Sequence, residues 1–106
     1  MADMQKVLEA VEVAKNTGKV KKGVNEATKA LERGTAKLVA FASDVAPKEI
    51  TVHLSVLAKE KGIPCFQVGT KEELGAAAGL AVPTSAVAII AEGDAKKIVE
   101  ELKTQG

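Results

Sequence analysis

The chain has 106 residues, 46% hydrophobic and 27% charged, which is enough for one hydrophobic core and not two. Two Phe are its only aromatic residues and Cys65 its only cysteine, which argues against a base-stacking single-strand platform and excludes an internal disulfide and a cysteine-based zinc site. The net charge of +1 argues against a uniformly basic nucleic-acid binder, no apolar run reaches the roughly 18 residues of a membrane span, and the start Met1–Lys6 lacks the basic-then-apolar order of a signal peptide.

Those bounds lead to the expectation of one cytoplasmic domain over residues 1–106. Met4, Val7, Leu8, Val11 and Ala14 recur at helical spacing, with Asp3 placed to cap their start and Asn16-Thr17-Gly18 to stop them. Residues 19–22 read as a short extended piece ending at Gly23. A second helix is expected over 24–33, with Val24, Ala27, Ala30 and Leu31 facing inward and Gly34 closing it. Leu38–Ala42 is a continuous apolar run, the mark of a strand covered on both faces. Pro47 suits the first turn of a third helix over 47–60, which carries Ile50, His53, Leu54 and Leu57 and places His53 on a half-buried face.

Pro64–Val68 reads as another buried strand, and Thr70-Lys71-Glu72-Glu73 as a capping box opening a short helix that ends at Gly79. Ala86–Ala91 reads as a further strand, and Asp94 is placed to cap a last helix carrying Ile98, Val99 and Leu102. The alternation predicts an α/β fold: a three-layer α/β/α sandwich around a small, largely buried, mixed four-stranded sheet.

Catalytic constellations are weak. His53 is the only histidine and has no visible partner to make it a general base. Cys65 lies in an apolar strand, where a thiol is usually a core residue, and no basic or glycine-rich loop follows it to support a phosphocarrier or a small cysteine-dependent enzyme. Gly69-Thr70-Lys71 lacks the glycine spacing of a phosphate loop. No cofactor or metal is implied.

Charge is not evenly spread. Residues 15–37 carry Lys15, Lys19, Lys21, Lys22, Lys29, Arg33 and Lys37 against only Glu26 and Glu32. Within that stretch, Lys21-Lys22-Gly23 leads into a helix start, where free N–H groups and the helix dipole favour phosphate. Asn25, Glu26 and Lys29 fall three and four residues apart, near one edge of the first two turns. Asn donates and accepts, Glu only accepts and Lys donates, a set complementary to base edges. On these residues alone, an Asn near a helix start beside a Glu–Lys surface pair remains the more economical account.

The stretch 21–34, Lys-Lys-Gly-Val-Asn-Glu-Ala-Thr-Lys-Ala-Leu-Glu-Arg-Gly, resembles the signature of the kink-turn RNA-binding family. The resemblance continues through Ala36-Lys37-Leu38-Val39, Asp44-Val45, Pro47, Glu49-Ile50 and His53-Leu54, then Glu60-Lys61, Ile63-Pro64, Lys71, Glu73-Leu74-Gly75, Ala78-Gly79-Leu80 and Val82-Pro83. It implies a non-enzymatic protein that binds helix–bulge–helix elements with tandem sheared G·A pairs. Asn25, Glu26 and Lys29 match the residues that read those guanines in a groove opened by the kink, which a regular A-form duplex would hide. Lys21, Lys22 and Gly23 match the approach to the backbone, Arg33 belongs to the same signature, and Ile50 and Lys71 match positions near the bulged nucleotides. Leu80, Ala81, Val82, Pro83, Thr84 and Ser85 match the loop that packs on the flipped-out base.

The resemblance further implies service in the large ribosomal subunit and in the box C/D and H/ACA guide ribonucleoproteins, and for some relatives in ribonuclease P. The implied partners are ribosomal RNA, guide RNA and ribonuclease P RNA, with Nop-type and fibrillarin-type proteins reached through the RNA complex; the free protein is expected to be a monomer. A non-ribosomal paralogue gripping another structured RNA is the alternative. The chain departs from the pattern at Ala46 and Ala81, where archaeal relatives usually carry acidic residues, and at Ser43, where one often precedes Asp44.

Overall fold

The computed structural model describes residues 4–44 and 49–105, with the side chains of residues 50, 51 and 103–105 outside the description. Its elements are α1 (Met4–Thr17), β1 (Lys19–Lys22), α2 (Val24–Arg33), β2 (Leu38–Ala42), α3 (Glu49–Lys61), β3 (Cys65–Val68), α4 (Lys71–Ala77), β4 (Ala86–Ala91) and α5 (Lys96–Gln105), with a 3-10 turn at Gly93–Ala95 before α5. The expected cap at Asp3 and the helix start at Pro47 fall outside the described residues.

The four strands form one mixed sheet in the order β1-β4-β2-β3, with β2 and β3 parallel and the remaining neighbours antiparallel. Parallel strands cannot be joined by a tight turn, so α3 makes the crossover between them. Each face of the sheet is covered. Val87, Ile89, Leu38, Ala40 and Ala42 point towards α1, α4 and α5, where they meet Val7, Val11, Leu74, Val99 and Leu102. Val39, Phe41, Ala86 and Ala88 point the other way, onto Ala27, Leu31, Leu54 and Ala58 of α2 and α3. The three-layer sandwich is therefore present, and β2 is buried at all five positions because it is central and covered on both sides.

The helix faces that meet the sheet are rich in alanine: Ala10 and Ala14 on α1, Ala27 and Ala30 on α2, all buried. Small residues there let helix backbones sit close to the strands, so a core almost without aromatics still closes. Gly34 ends α2 in the left-handed conformation, and the following Thr35 N–H donates to Ala30 O at 3.0 Å, using a carbonyl that the helix end leaves over. Thr70 caps α4 through the full reciprocal box with Glu73. Lys6 of α1 and Glu101 of α5 form an ion pair on the surface.

Three expectations need correction. Residues 65–68 are an edge strand buried on one face: Phe66 and Val68 are buried as expected, but Gln67 is exposed and Cys65 only half-buried, and β3 has a neighbour on one side alone. His53 is exposed, since Leu54, Leu57 and Ala58 take the inward face of α3. Asp94 lies inside the 3-10 turn rather than capping a helix, and its N–H donates to Thr17 Oγ1 at 2.8 Å, tying the turn to the end of α1.

Candidate nucleic-acid interface

The residues singled out from the sequence come from four separate stretches, and the sheet gathers three parts of them, the α2 start, Lys71 and the loop Leu80–Ser85, at one end. β1 runs into Gly23, whose N–H donates to Ala86 O at 2.7 Å, so the start of α2 is fastened to the first residue of β4. The loop Leu80–Ser85 feeds that same residue, and Ser85 O accepts from Ala42 N at 2.9 Å at the end of β2. Lys71, the first residue of α4, donates its N–H to Asp44 Oδ1 at 2.9 Å and accepts on its carbonyl from Thr84 N at 3.1 Å. The α2 start, the loop and Lys71 are thereby joined by hydrogen bonds into a single surface.

Gly23 occupies the N-cap of α2 at φ 100°, ψ 155°, and no side chain caps the helix there. The first turn of α2 therefore keeps backbone N–H groups available to an anion, reinforced by the dipole. Asn25 and Lys29 are exposed and Arg33, four residues further on, is exposed too, so the three make a stripe along α2. Arg33 stands roughly 12 Å along the axis from Asn25, at about 1.5 Å per residue. Lys29 Nζ lies 4.0 Å from Glu26 Oε1, with side chains 59% and 46% exposed. A pair that open to solvent holds itself with only about 0.2–0.5 kcal/mol, so either partner can turn to another ligand at little cost.

Lys21 and Lys22 do not share a face. Lys22 pairs across the ladder with Val87 and Lys21 with Ala88, so Lys22 lies on the α1 and α4 side of the sheet and Lys21 on the α2 side. They flank the surface rather than forming one basic point.

The loop is held in shape from below. A Cβ on Gly75 would stand 2.4 Å from Val82 O, so only glycine at that point of α4 lets the loop backbone lie against the helix. Leu80 N donates to Gly75 O at 2.8 Å. Ala81, Val82 and Pro83 are exposed and Leu80 and Ser85 half-buried. Thr84 is different: it is buried and gives its hydroxyl to Ala86 O at 3.2 Å, so it holds the loop instead of presenting a contact. The Ile50 side chain and Ala46 fall outside the described residues. Sequence reasoning missed Asp44 as the acceptor for Lys71 N–H; its signal was a carboxylate just beyond a buried strand, which takes meaning only once β2 and α4 are neighbours.

The other chemical groups singled out from the sequence stand apart from this surface. Burial pushes the Cys65 thiol up to about 11, with a hydrogen bond to Ser55 working the other way. Among the described residues there is no group of three His, Cys, Asp or Glu side chains able to hold a metal ion, and no helix long and apolar enough to cross a membrane. A thiol pushed up to about 11 yields about a hundredfold less thiolate near pH 8 than one at its ordinary value. Folded protein should accordingly react with a thiol-labelling reagent about that much more slowly than protein unfolded in urea, and equal rates would contradict the burial of Cys65.

Residues 5–99 match the ribosomal protein L7Ae/L30e/S12e/Gadd45 family. The chain belongs to this family. It is 53% identical over 105 residues to the large ribosomal subunit protein eL8 of Halobacterium salinarum, in each of two strains, an alignment covering 98% of this chain and 88% of the relative. Among solved structures it is similar to the Giardia lamblia 15.5kD RNA binding protein, with a TM-score of 0.89 and 32% identity, over 99% of this chain and 88% of that one. The family is described by its ribosomal proteins, the relative is a ribosomal-subunit protein, and the chain is not an enzyme; the reading of Cys65 as a nucleophile or phosphocarrier falls with that.

Proposed function

We propose that the protein binds RNA in the large ribosomal subunit and recognises kink-turns through the α2 start and the Leu80–Ser85 loop. The observation that carries this reading is the convergence of Asn25, Glu26, Lys29, Lys71 and the loop on one end of the sheet, beside an uncapped helix N-terminus. The similarity to a large-subunit eL8 and to a 15.5kD RNA binding protein supports it.

Asn25, Glu26 and Lys29 read the guanines of the tandem sheared pairs, while Lys21, Lys22 and Gly23 approach the phosphates from two sides. Arg33 extends the basic stripe along the flanking helix. Lys71, Ile50 and the exposed part of the loop, Leu80 to Pro83 with Ser85, take the bulged nucleotides, with Thr84 holding the loop from within. The same grip serves kink-turns of ribosomal RNA, of box C/D and H/ACA guide RNAs and of ribonuclease P RNA; in guide particles the bent RNA and the protein together receive Nop-type and fibrillarin-type proteins. The protein acts as one domain, in the cytoplasm, and is a monomer when free.

Titration of the full chain against a kink-turn RNA and a regular duplex of equal length, at one salt concentration, tests the reading. Binding should be tight to the kink-turn and weak to the duplex; equal affinity for both overturns it. As phosphate contacts, Lys21→Gln and Lys22→Gln should each lower the slope of log affinity against log salt by about 1. An unchanged slope would remove that lysine from the interface.

A further inference from the structure

Three exposed lysines stand at the end of the sandwich away from the loop: Lys37, leading into β2, and Lys59 and Lys61, in the last turn of α3. We infer that this end binds the phosphate backbone of a second RNA segment, so that the protein bridges two parts of an RNA. The inference rests on the reading of the protein as RNA-binding and adds a contact surface separate from the kink-turn site.

Hydrogen bonds at the foot of β2 bring the lysines together. A tight turn, in which Thr35 N–H donates to Ala30 O at 3.0 Å, carries the chain from the end of α2 to Lys37. The end of α3 folds back in the same way, with Ile63 N–H on Ala58 O at 2.9 Å. The next residue, Pro64, accepts from Val39 N–H at 2.9 Å, so the ends of α2 and α3 flank the start of β2. Lys37 is five residues from Ala42, whose bond to Ser85 borders the candidate interface, roughly 16 Å at about 3.3 Å per residue. The two surfaces lie at opposite ends of the sheet.

The fold does not consume these charges. Lysines near a helix C-terminus commonly serve its leftover carbonyls. Here backbone groups serve them instead: Gly34 and Thr35 N–H meet Leu31 and Ala30 O, and Gly62 and Ile63 N–H meet Lys59 and Ala58 O. Glu32 and Glu60 are exposed close by in sequence, yet among the described residues none of the three lysines forms an ion pair. Arg33, at the end of the α2 stripe, borders the same area and leaves it net positive. Lysines only donate, so such a surface grips phosphate without reading bases. Membership of a family with ribosomal proteins favours RNA over an acidic protein as the source of that anion.

The full chain is first saturated with an unlabelled kink-turn RNA and then titrated with a labelled regular RNA duplex. The saturated chain should still bind the duplex. Raising the salt fourfold should weaken that binding roughly fortyfold, the result for three phosphate contacts at a log–log slope of about 0.9 each. The triple variant Lys37→Gln, Lys59→Gln, Lys61→Gln should lose the duplex, keep the parent's kink-turn affinity and melt at the parent's temperature. No duplex binding by the saturated chain, or duplex binding that survives the triple variant, overturns the inference and leaves the kink-turn reading standing. A kink-turn RNA bound no better than duplex overturns that reading alone; loss of duplex binding by the free triple variant would then still support the second surface, and its survival would overturn it. Poly-glutamate bound more tightly than the duplex would assign the surface to an acidic protein and overturn it as an RNA contact.

Discussion

Asn25→Ala and Glu26→Ala should each weaken kink-turn binding by about 1–3 kcal/mol, the range for loss of one base-reading contact. Neither should disturb the fold. Asn25 is exposed near the start of α2, where alanine is the better helix former. Among the described residues Glu26 gives up its open pair with Lys29 and a favourable place in the first turn of α2, each a small surface effect. A thermal melt of each variant, matched to the parent, would establish that binding and not folding is affected.

The sign of the Glu26 effect separates the two accounts of that residue. As a mere surface partner of Lys29, Glu26 would repel phosphate, and its removal would strengthen binding to every RNA. As a reader of guanine it is repulsive to a regular duplex but attractive in the kinked groove. Glu26→Ala should therefore weaken the kink-turn complex and slightly strengthen duplex binding measured in parallel. Tighter binding to both RNAs would end the base-reading role. The double variant with Asn25→Ala should cost less than the sum of the single effects, since both residues address one pair of bases.

Gly23→Ala should cost about 1–3 kcal/mol, divided between folding and RNA affinity. At φ 100° and ψ 155° Gly23 lies in a region essentially closed to residues with a side chain. Nothing lies within 4 Å of where its Cβ would stand, so the cost comes from the backbone alone and not from a clash. Two responses are open to the chain. If the introduced alanine is forced into the native dihedrals, chemical unfolding registers the strain and RNA affinity is kept. If the backbone relaxes, the bond from position 23 N–H to Ala86 O is given up, the start of α2 moves off β4, and affinity falls instead. Denaturant midpoint and Kd measured on the same preparation should together account for at least about 1 kcal/mol. A variant indistinguishable in both would mean that the position does not hold this conformation.

Much of the fold was legible because its signals are local. The run Leu38–Ala42, the reciprocal box at Thr70 and Glu73, and Gly34 after a ten-residue amphipathic stretch each act over a few residues, and each lies where the sequence placed it. Local signals misled where burial depended on a neighbour far along the chain. The apolar letters of Cys65–Val68 were compatible with a central strand, but strand order left β3 at the edge and turned Gln67 to solvent. His53 and Asp94 went the same way, one facing outward because α3 buries Leu54 instead, the other drawn into a turn by Thr17.

The Lys21–Lys29 segment divides along the same line. The sequence by itself determined its helix start, the edge shared by Asn25, Glu26 and Lys29, and its excess of positive charge, since these follow from helical spacing and composition. Only the tertiary structure decided that Lys21 and Lys22 stand on opposite faces of the sheet, that Thr84 turns inward, and that Lys71 is tied to the loop and the loop, through Ala86, to the α2 start. Those outcomes rest on the pairing of β1 with β4 and on the bonds from Gly23 to Ala86 and from Lys71 to Asp44 and Thr84. They join residues distant in sequence, and it is burial of both faces of the sheet that selects them, a condition no short stretch of the chain can express.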